Sequence, residues 1–435
     1  MSSTSQAPAT GGATLVRAIG VRALSAGLFN TIVGAGIFVL PATVAGLVDR
    51  GAPYAYLTCA VAIMFTTLCY AAAGSRVVDA GGSYAYIGAA FGPLAGFLGG
   101  VMVWLSDVLA TAGVASAFAA GVALYVPAVG SPVGRMALVV AIVGGLAAIN
   151  LRGVKQGTRF MELVTIAKLA PLVLFIAVGL VLRRHDLPLP EVPSGEALGR
   201  ATLLLMFVFS GAESAVALSG EVTDPVRTIP RALLFSLALV TLLYGLVHLV
   251  AQATLGPALV TSTVAPLADA ANVLAGSPFR TMMLLGTLLS MLGYLSAVAL
   301  ATPRTLFAMA GDGILPALQR VHPRFRTPHV AIVFHAAAVV LVASVGSFAV
   351  LVPFASVAVL VLYLSVSLAS WELQRRGVGT GSDVFNVPAV VPAIASAFCL
   401  WLLWNASGTE LMMEAIVMAA AIALYVFRKF TSARS

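Results

Sequence analysis

The chain has 435 residues, of which 60% are hydrophobic and 9% are charged, against about 25% charged residues in an average soluble domain. This composition excludes a soluble globular protein and predicts an all-α integral membrane protein. The formal net charge of +8 does not indicate a nucleic-acid partner, because the distribution of the basic residues along the chain indicates membrane topology instead.

Apolar runs long enough to cross a lipid bilayer recur from residue 22 to the end of the chain. Residues 1–21 precede them and are predicted to be a cytoplasmic tail that lacks the features of a signal peptide. The third run is too long for one straight span, so we expect its first part to enter obliquely. The runs predict twelve transmembrane helices, at 22–47, 53–74, 91–126, 133–150, 160–182, 199–219, 231–256, 278–310, 329–345, 348–371, 388–405 and 410–428.

The distribution of basic residues predicts the orientation of these spans. With the N-terminus inside, 17 of the 24 Lys and Arg residues fall on the cytoplasmic side and six on the opposite side. By the positive-inside rule, both termini are expected in the cytoplasm of a cell whose plasma or inner membrane holds the protein. The longest segments on the outer side, 183–199 and 257–277, are predicted to be loops because they are rich in Pro, Gly or small polar residues.

Two spans are interrupted by glycine at their middles, in matching places of the two halves. The first contains Gly34-Ala35-Gly36, and the second contains Ser210-Gly211 followed by Glu213. Lipid cannot satisfy exposed peptide groups, so a matched pair of breaks indicates the central binding site of a transporter. The alternative is that these glycines only allow helices to pack closely. The carboxylate of Glu213 favours the binding site, because a charge within a membrane is costly without a function.

Two further charged residues lie within predicted spans. Lys168 has several apolar residues on both sides in the fifth span, so it differs from a lysine that reaches the interface from a helix end. A buried lysine can lose and regain a proton readily. Asp107 lies in the third span, where it is either part of an internal hydrogen-bond network or a residue for recognising a cationic side chain or relaying a proton.

Sequence motifs of enzymes are absent. The chain has no Gly-x-x-x-x-Gly-Lys-[Ser/Thr] loop, no Gly-x-Ser-x-Gly elbow and no His-Glu-x-x-His segment. The three cysteines fall in apolar spans and have no metal-ligand spacing. We therefore expect no cofactor, no metal and no catalytic residues. His248, within the seventh span, is interpreted as a packed, hydrogen-bonded residue.

Four motifs resemble those of the amino acid–polyamine–organocation superfamily. The segment 34–41 is similar to its Gly-Ser-Gly-Ile-Phe signature, with Ala35 in place of serine. The segments 81–86, 221–230 and 304–316 resemble those before its third helix, after its sixth and at the end of its eighth. The motifs occur in the family's order and cover most of the chain.

The resemblance implies the leucine-transporter fold, with helices 1 and 6 broken. Helices 1–5 (22–182) and 6–10 (199–371) would be inverted repeats, helices 11 and 12 (388–428) would lie outside them, and 429–435 would be a cytoplasmic tail. It also implies secondary transport of amino acids or related amines by alternating access. A multi-pass membrane enzyme or a channel is less favoured, because neither needs paired broken helices.

In such a fold, the breaks provide both halves of an amino acid site. The backbone N–H groups of Gly34, Ala35 and Gly36 would bind the carboxylate at the positive end of a half-helix. Ala35 lacks the hydroxyl that many relatives offer there. The carbonyl groups that end the first half-helices would accept hydrogen bonds from the substrate ammonium, and they lie near Thr31, Ile32, Phe207 and Phe209.

The resemblance also assigns roles to several side chains. Lys168 aligns with a lysine that replaces the coupling sodium ion in sodium-independent members, which predicts proton coupling. Phe207 occupies the position of the family's gating aromatic and is either a gate or a packing residue. Glu213 either braces the unwound segment or senses protons.

The predicted pocket is mostly uncharged, so we expect neutral, mainly small or aliphatic amino acids as substrates. The alternative is a cationic amino acid or polyamine, transported or exchanged, with Asp107 facing the pocket. The expected partners are therefore an amino acid, protons and the lipid bilayer. The candidate lining residues are Ile32, Ala35, Phe207, Phe209 and Ser210, with Asp107, Thr111, Ser290 and Tyr294 as possible determinants of side-chain selectivity.

Overall fold

The computed structural model describes residues 20–77, 82–152, 158–182, 186, 189–211, 222–310, 315–379 and 384–432. Within these ranges the chain is helical and contains no strand. The α-helices described are α1 (Val21–Ile32), α2 (Gly36–Val48), α3 (Ala52–Gly74), α4 (Ser83–Phe91), α5 (Pro93–Ala123), α6 (Pro132–Leu151), α7 (Thr158–Leu182), α8 (Gly195–Phe209), α9 (Pro225–Leu255), α10 (Pro266–Met309), α11 (His329–Val345), α12 (Phe348–Arg375), α13 (Val390–Trp404) and α14 (Gly408–Ser432).

Membrane-spanning character is concentrated in seven helical stretches of the described residues that are long and apolar enough to cross a bilayer. Three shorter apolar helices accompany them, at Lys168–Leu182, His329–Val345 and Val390–Trp404. The seven stretches are Gly36–Gly74, Pro93–Ala123, Pro132–Leu151, Arg227–Thr261, Pro266–Met309, Phe348–Arg375 and Gly408–Phe430.

The third predicted run folds as one uninterrupted helix after a sharp hinge. Gly92, with φ of 93°, separates α4 from α5, and Pro93 occupies the first turn of α5. Only glycine adopts such a φ without strain. Helix α5 then continues for 31 residues, about 46 Å at 1.5 Å per residue. Because this exceeds the roughly 30 Å of a hydrocarbon core, α5 is expected to cross the bilayer with a tilt.

The predicted outer loop at 257–277 is wrong in part, because α10 begins inside it. Pro266 starts this helix, where proline lacks only an N–H group that has no helical partner. Residues Ala275 and Gly276 then leave helical geometry, with φ of 78° at Gly276, before the helix resumes. The small polar composition that suggested a loop belongs to a short helix followed by a kink.

Helices from the two halves of the chain pack against one another. Helix α1 packs on α9, α3 packs on α8 and α9, and α5 packs on α10 and α12. One continuous apolar core includes residues from all of these helices. This interleaving brings the junction between α1 and α2 next to the end of α8.

Candidate functional site

The first break lies between α1 and α2. Helix α1 ends at Ile32, where the N–H of Val33 still donates to the carbonyl of Phe29 at 3.0 Å. Val33 then turns to an extended conformation, with ψ of 90°, and the helix resumes at Gly36. No side chain caps the start of α2. In this first turn the N–H of Phe38 donates to the carbonyl of Ala35 at 3.2 Å, whereas the N–H groups of Gly36 and Ile37 precede the first intrahelical acceptor and have no side-chain cap.

The second break begins at the end of α8. The Ser210 hydroxyl donates to the carbonyl of Phe207 at 2.8 Å, and its N–H donates to the carbonyl of Met206 at 2.9 Å. Gly211 follows with φ of 109°, a conformation that L-amino acids rarely adopt. Helix α8 therefore cannot continue through Gly211. Glu213 lies outside the described residues.

The two breaks lie in direct contact. A Cβ atom added to Gly211 would lie 3.0 Å from Thr31 Cγ2 and 3.2 Å from its carbonyl oxygen. A Cβ on Gly36 would lie 2.9 Å from Val208 Cγ2 and 3.1 Å from Phe207 Cε1. Each break therefore needs glycine, at Gly36 and at Gly211, because atoms of the other break come so close. Thr31, Gly36, Phe207 and Gly211, four of the predicted site residues, are brought together.

Gly34, in contrast to Gly36 and Gly211, is not crowded by the other break. A Cβ added there would meet only the carbonyl oxygen of Ile32, at 3.8 Å. The backbone at Gly34 therefore has room for one methyl group in ordinary van der Waals contact, on the segment whose N–H groups were predicted to bind a carboxylate. Ala35 and Ile32, on either side, are almost completely buried.

A residue that sequence analysis did not select ties the breaks together. The hydroxyl of Tyr244, on α9, donates to the carbonyl of Ile32 at 3.0 Å and lies 3.5 Å from the carbonyl of Val208. The backbone of Gly34 also lies within hydrogen-bonding reach of this hydroxyl. A hydroxyl group donates its one proton to one acceptor at a time. Tyr244 therefore bonds to the end of α1 and has a second acceptor, at the end of α8, within reach.

The two phenylalanines before the second break face different surroundings. Phe207 is half-buried and makes T-shaped contacts with Tyr294, at 6.2 Å between ring centroids, and with Phe348, at 5.8 Å. Phe209 is fully buried against the rings of Tyr56 and Tyr244. Phe207 therefore faces the helices α10 and α12, whereas Phe209 is part of the packed interior beside α3 and α9.

Lys168 reaches the end of α1. Its Nζ atom donates to the carbonyl of Asn30 at 2.6 Å, and the residue is 9% exposed. A snorkelling lysine would direct its amine to the interface. Here the amine is instead held against a backbone carbonyl two residues before the helix end.

Asp107 hydrogen-bonds to α10. Its Oδ2 atom accepts from the hydroxyl of Thr302 at 2.5 Å. Thr111, one turn further along α5, lines a small cavity of about 10 Å³ between α5, α6, α10 and α11. The hydroxyls of Thr111 and Ser290 are buried and have no hydrogen-bond partner among the described residues. The structure thus supplies a network partner for Asp107, and its other candidate role stays a prediction.

Metal-binding geometry is not found in the described part of the chain, where no group of three or more His, Cys, Asp or Glu side chains converges. Cys59, Cys69 and Cys399 are free and buried.

Comparisons with known proteins extend these observations over the whole chain. A family model described as amino acid permease matches residues 19–427. The chain is 29% identical to the methylthioribose transporter of Bacillus subtilis, over 91% of this chain and 89% of that protein. It is 26% identical to the branched-chain amino acid permease BcaP of the same organism, over 96% and 94%. It is 28% identical to the serine/threonine exchanger SteT, also of Bacillus subtilis, over 88% and 90%.

Proposed function

We propose that this chain, which belongs to the amino acid permease family, is a proton-coupled secondary transporter that carries neutral amino acids by alternating access. The family and the relatives compared are transporters and not enzymes. The proposed architecture has twelve transmembrane helices in the cell membrane, with inverted repeats at 22–182 and 199–371 and both termini in the cytoplasm.

The contact between the two breaks carries this proposal. The backbone at Gly34 has room for a further atom, with only the carbonyl oxygen of Ile32 within 4 Å of an added Cβ, and the hydroxyl of Tyr244 joins that carbonyl to the carbonyl of Val208 near the end of α8. An amino acid carries one anionic and one cationic group on the same carbon atom, so it needs donors and acceptors within a few ångströms of each other. Helix N-termini bind anions and helix C-termini bind cations. The carbonyl of Ile32 accepts from Tyr244 and retains a second lone pair for an ammonium group.

Proton coupling is proposed for Lys168. Its bond to the carbonyl of Asn30 holds a cation at the end of α1, the same half-helix end that would bind the substrate ammonium. Loss of the lysine proton removes a donor and a positive charge from this end, so protonation and substrate binding would act on one structural element. Phe207 would close the space from the side of Tyr294 and Phe348.

Neutral substrates are favoured by the surroundings and by the relatives. Ile32, Ala35 and Phe207 beside the breaks are apolar, and Phe207 is half-buried, so it can cover an apolar side chain, whose burial is worth about 25 cal/mol per Å². The substrates in the names of the three relatives are methylthioribose, branched-chain amino acids, and serine and threonine, and none of these carries a net charge. A cationic substrate would require the carboxylate of Asp107 as its partner, and the hydrogen bond from Thr302 already satisfies part of that carboxylate.

Uptake into proteoliposomes tests the proposal. Purified protein is reconstituted, and uptake of labelled leucine and alanine is measured with an inward proton gradient, with a sodium gradient at equal pH, and with neither. We expect accumulation under the proton gradient alone. Accumulation that needs sodium would overturn proton coupling. If arginine or putrescine competes better than leucine and alanine, the cationic alternative replaces the neutral one.

A further inference from the structure

Three polar side chains follow one face of the mostly apolar helix α9. Tyr244, His248 and Gln252 are four residues apart, so each lies one turn above the last on the same face. All three are buried, with Tyr244 and His248 fully inaccessible and Gln252 8% exposed. The face spans about 12 Å along the helix axis.

The two ends of this face contact different parts of the protein. At the lower end, Tyr244 bonds to the carbonyl of Ile32 at the breaks. At the upper end, the Nε2 atom of Gln252 donates to Oδ1 of Asp49 at 2.7 Å. Asp49 ends α2 and is exposed at the protein surface. The polar face of α9 therefore leads from the surface to the contact between the half-helices.

Its middle contains polar atoms that the described residues do not satisfy. Both ring nitrogens of His248, the hydroxyl of Tyr56 and the Oε1 atom of Gln252 are buried and have no hydrogen-bond partner there. The rings of Tyr56 and His248 meet edge to face, with centroids 5.6 Å apart. Tyr56 is in turn 6.3 Å from the ring of Tyr244. His248 was interpreted from the sequence as hydrogen-bonded, and the described structure gives it no such partner.

Buried polar groups are costly when they are left unpaired, and ordered water commonly satisfies them where two to four polar partners converge. The four unsatisfied atoms belong to one residue of α3 and to two residues one turn apart on α9, so water between these helices would supply their missing partners. Titratable groups beside these atoms are Tyr56 and Cys59 on α3, Tyr244 and His248 on α9, and Asp49 at the upper end of the polar face. The other charged side chains described on helices that pack against α9 are Arg22, Lys168, Asp269, Arg280 and Arg304.

We propose that α3 and α9 hold a file of hydrogen-bonded water between Asp49 and Tyr244, and that His248 relays protons along it to the half-helix breaks. In each step a proton from the surface side binds to the unprotonated ring nitrogen of His248. The proton on the other ring nitrogen then leaves through the hydroxyls of Tyr56 and Tyr244, each of which takes up one proton and passes its own on, to the neutral amine of Lys168 at the end of α1. The imidazole is then neutral with its two ring nitrogens exchanged, and rotation of the ring restores it for the next proton. This inference rests on the proposed proton coupling and supplies its route from the surface that carries Asp49.

The test separates net proton movement from substrate movement. Counterflow exchange of labelled against unlabelled leucine needs no net proton transfer, whereas accumulation under a proton gradient does. We expect His248→Leu and Gln252→Leu to lower gradient-driven accumulation by about tenfold or more, with counterflow within about twofold of the wild type. His248→Gln keeps hydrogen bonding but cannot relay a proton, so it should give the same result with the least change in packing.

His335→Leu is the matched control, because His335 is also a buried histidine with neither ring nitrogen paired among the described residues, on α11. It should leave both measurements within about twofold of the wild type. Gradient-driven accumulation that survives in His248→Gln and Gln252→Leu would overturn the proposal. Equal loss of counterflow and accumulation in His248→Gln would overturn it too, because the residue would then serve packing. A wild-type protein that shows counterflow but no accumulation would instead refute proton coupling itself.

Discussion

Gly34 provides the most direct test of where the substrate binds. Replacing it by alanine adds one methyl group that makes only an ordinary van der Waals contact, with the carbonyl oxygen of Ile32 at 3.8 Å. The substitution should therefore leave folding intact. Where alanine fits without strain, it commonly stabilises the folded state by about 0.4–1 kcal/mol relative to glycine.

Binding should respond in the opposite direction. The methyl group would occupy the space through which a carboxylate approaches the N–H groups of Gly34, Ala35 and Gly36. Loss of one hydrogen bond to a charged group costs about 1.5–3 kcal/mol, and each 1.4 kcal/mol is a factor of ten in affinity. We therefore expect the apparent affinity for leucine to fall by about 10- to 150-fold.

The assay pairs competition for leucine uptake with thermal unfolding of the purified protein in detergent. Gly27→Ala is the matched control, since Gly27 lies on α1 with no atom within 4 Å of its added Cβ. It should leave competition for leucine uptake unchanged, and it should raise stability by about 0.5–1 kcal/mol, because glycine destabilises a helix interior relative to alanine. If Gly34→Ala binds leucine as tightly as the wild type at unchanged stability, the substrate does not lie against this backbone, and the proposed site is wrong.

Three other substitutions test separate parts of the site. Lys168→Ala removes the donor to the carbonyl of Asn30, so gradient-driven accumulation should collapse while counterflow persists; full accumulation in this variant would refute coupling through the lysine. Gly211→Ala forces an L-residue to φ of 109° against Thr31, which should cost about 1–3 kcal/mol of stability, and an unchanged unfolding temperature would show that the contact between breaks is loose. Asp107→Asn keeps an oxygen acceptor for Thr302, so competition by alanine and leucine should not change; a preference for arginine or putrescine that this change abolishes would support the cationic alternative.

The positions of the breaks could be predicted from sequence because glycine clusters within apolar runs are local signals. Gly34, Gly36 and Gly211 each lie where the structure interrupts a helix or brings two backbones together. Their contact with one another could not be derived in the same way. Gly211 and Thr31 are far apart in sequence, and only the packing of helices from both halves brings them together.

Tyr244 shows where sequence reasoning stops. Its bond to Ile32 joins residues 212 positions apart, and no periodicity within α9 identifies that partner. A signal was nevertheless present, because tyrosine, histidine and glutamine recur every four residues on a helix that is mostly apolar. Read together, the three positions define a face, whereas His248 taken alone suggested only a packed residue.

The end of α1 is held through three successive residues, each by a different element. The carbonyl of Asn30 accepts from Lys168 on α7, Thr31 lies against Gly211 after α8, and the carbonyl of Ile32 accepts from Tyr244 on α9. The last carbonyls of a helix have no partner within it, so these contacts supply what the helix itself cannot.

This arrangement removes the need for a long path between proton and substrate. In the proposed mechanism, the lysine that exchanges a proton binds to the same turn of α1 that carries the carbonyl groups for the ammonium. A change in the charge of Lys168 therefore alters the substrate-binding surface directly, because α7, α8 and α9 all contact the end of α1.

Coupling of this kind predicts that Lys168→Ala and Tyr244→Phe have non-additive effects on leucine affinity, because both donors act on one turn. A double-mutant cycle measured by competition for counterflow gives the coupling free energy. Additive effects would mean that the two donors act independently, and the end of α1 would not be the element that links proton to substrate.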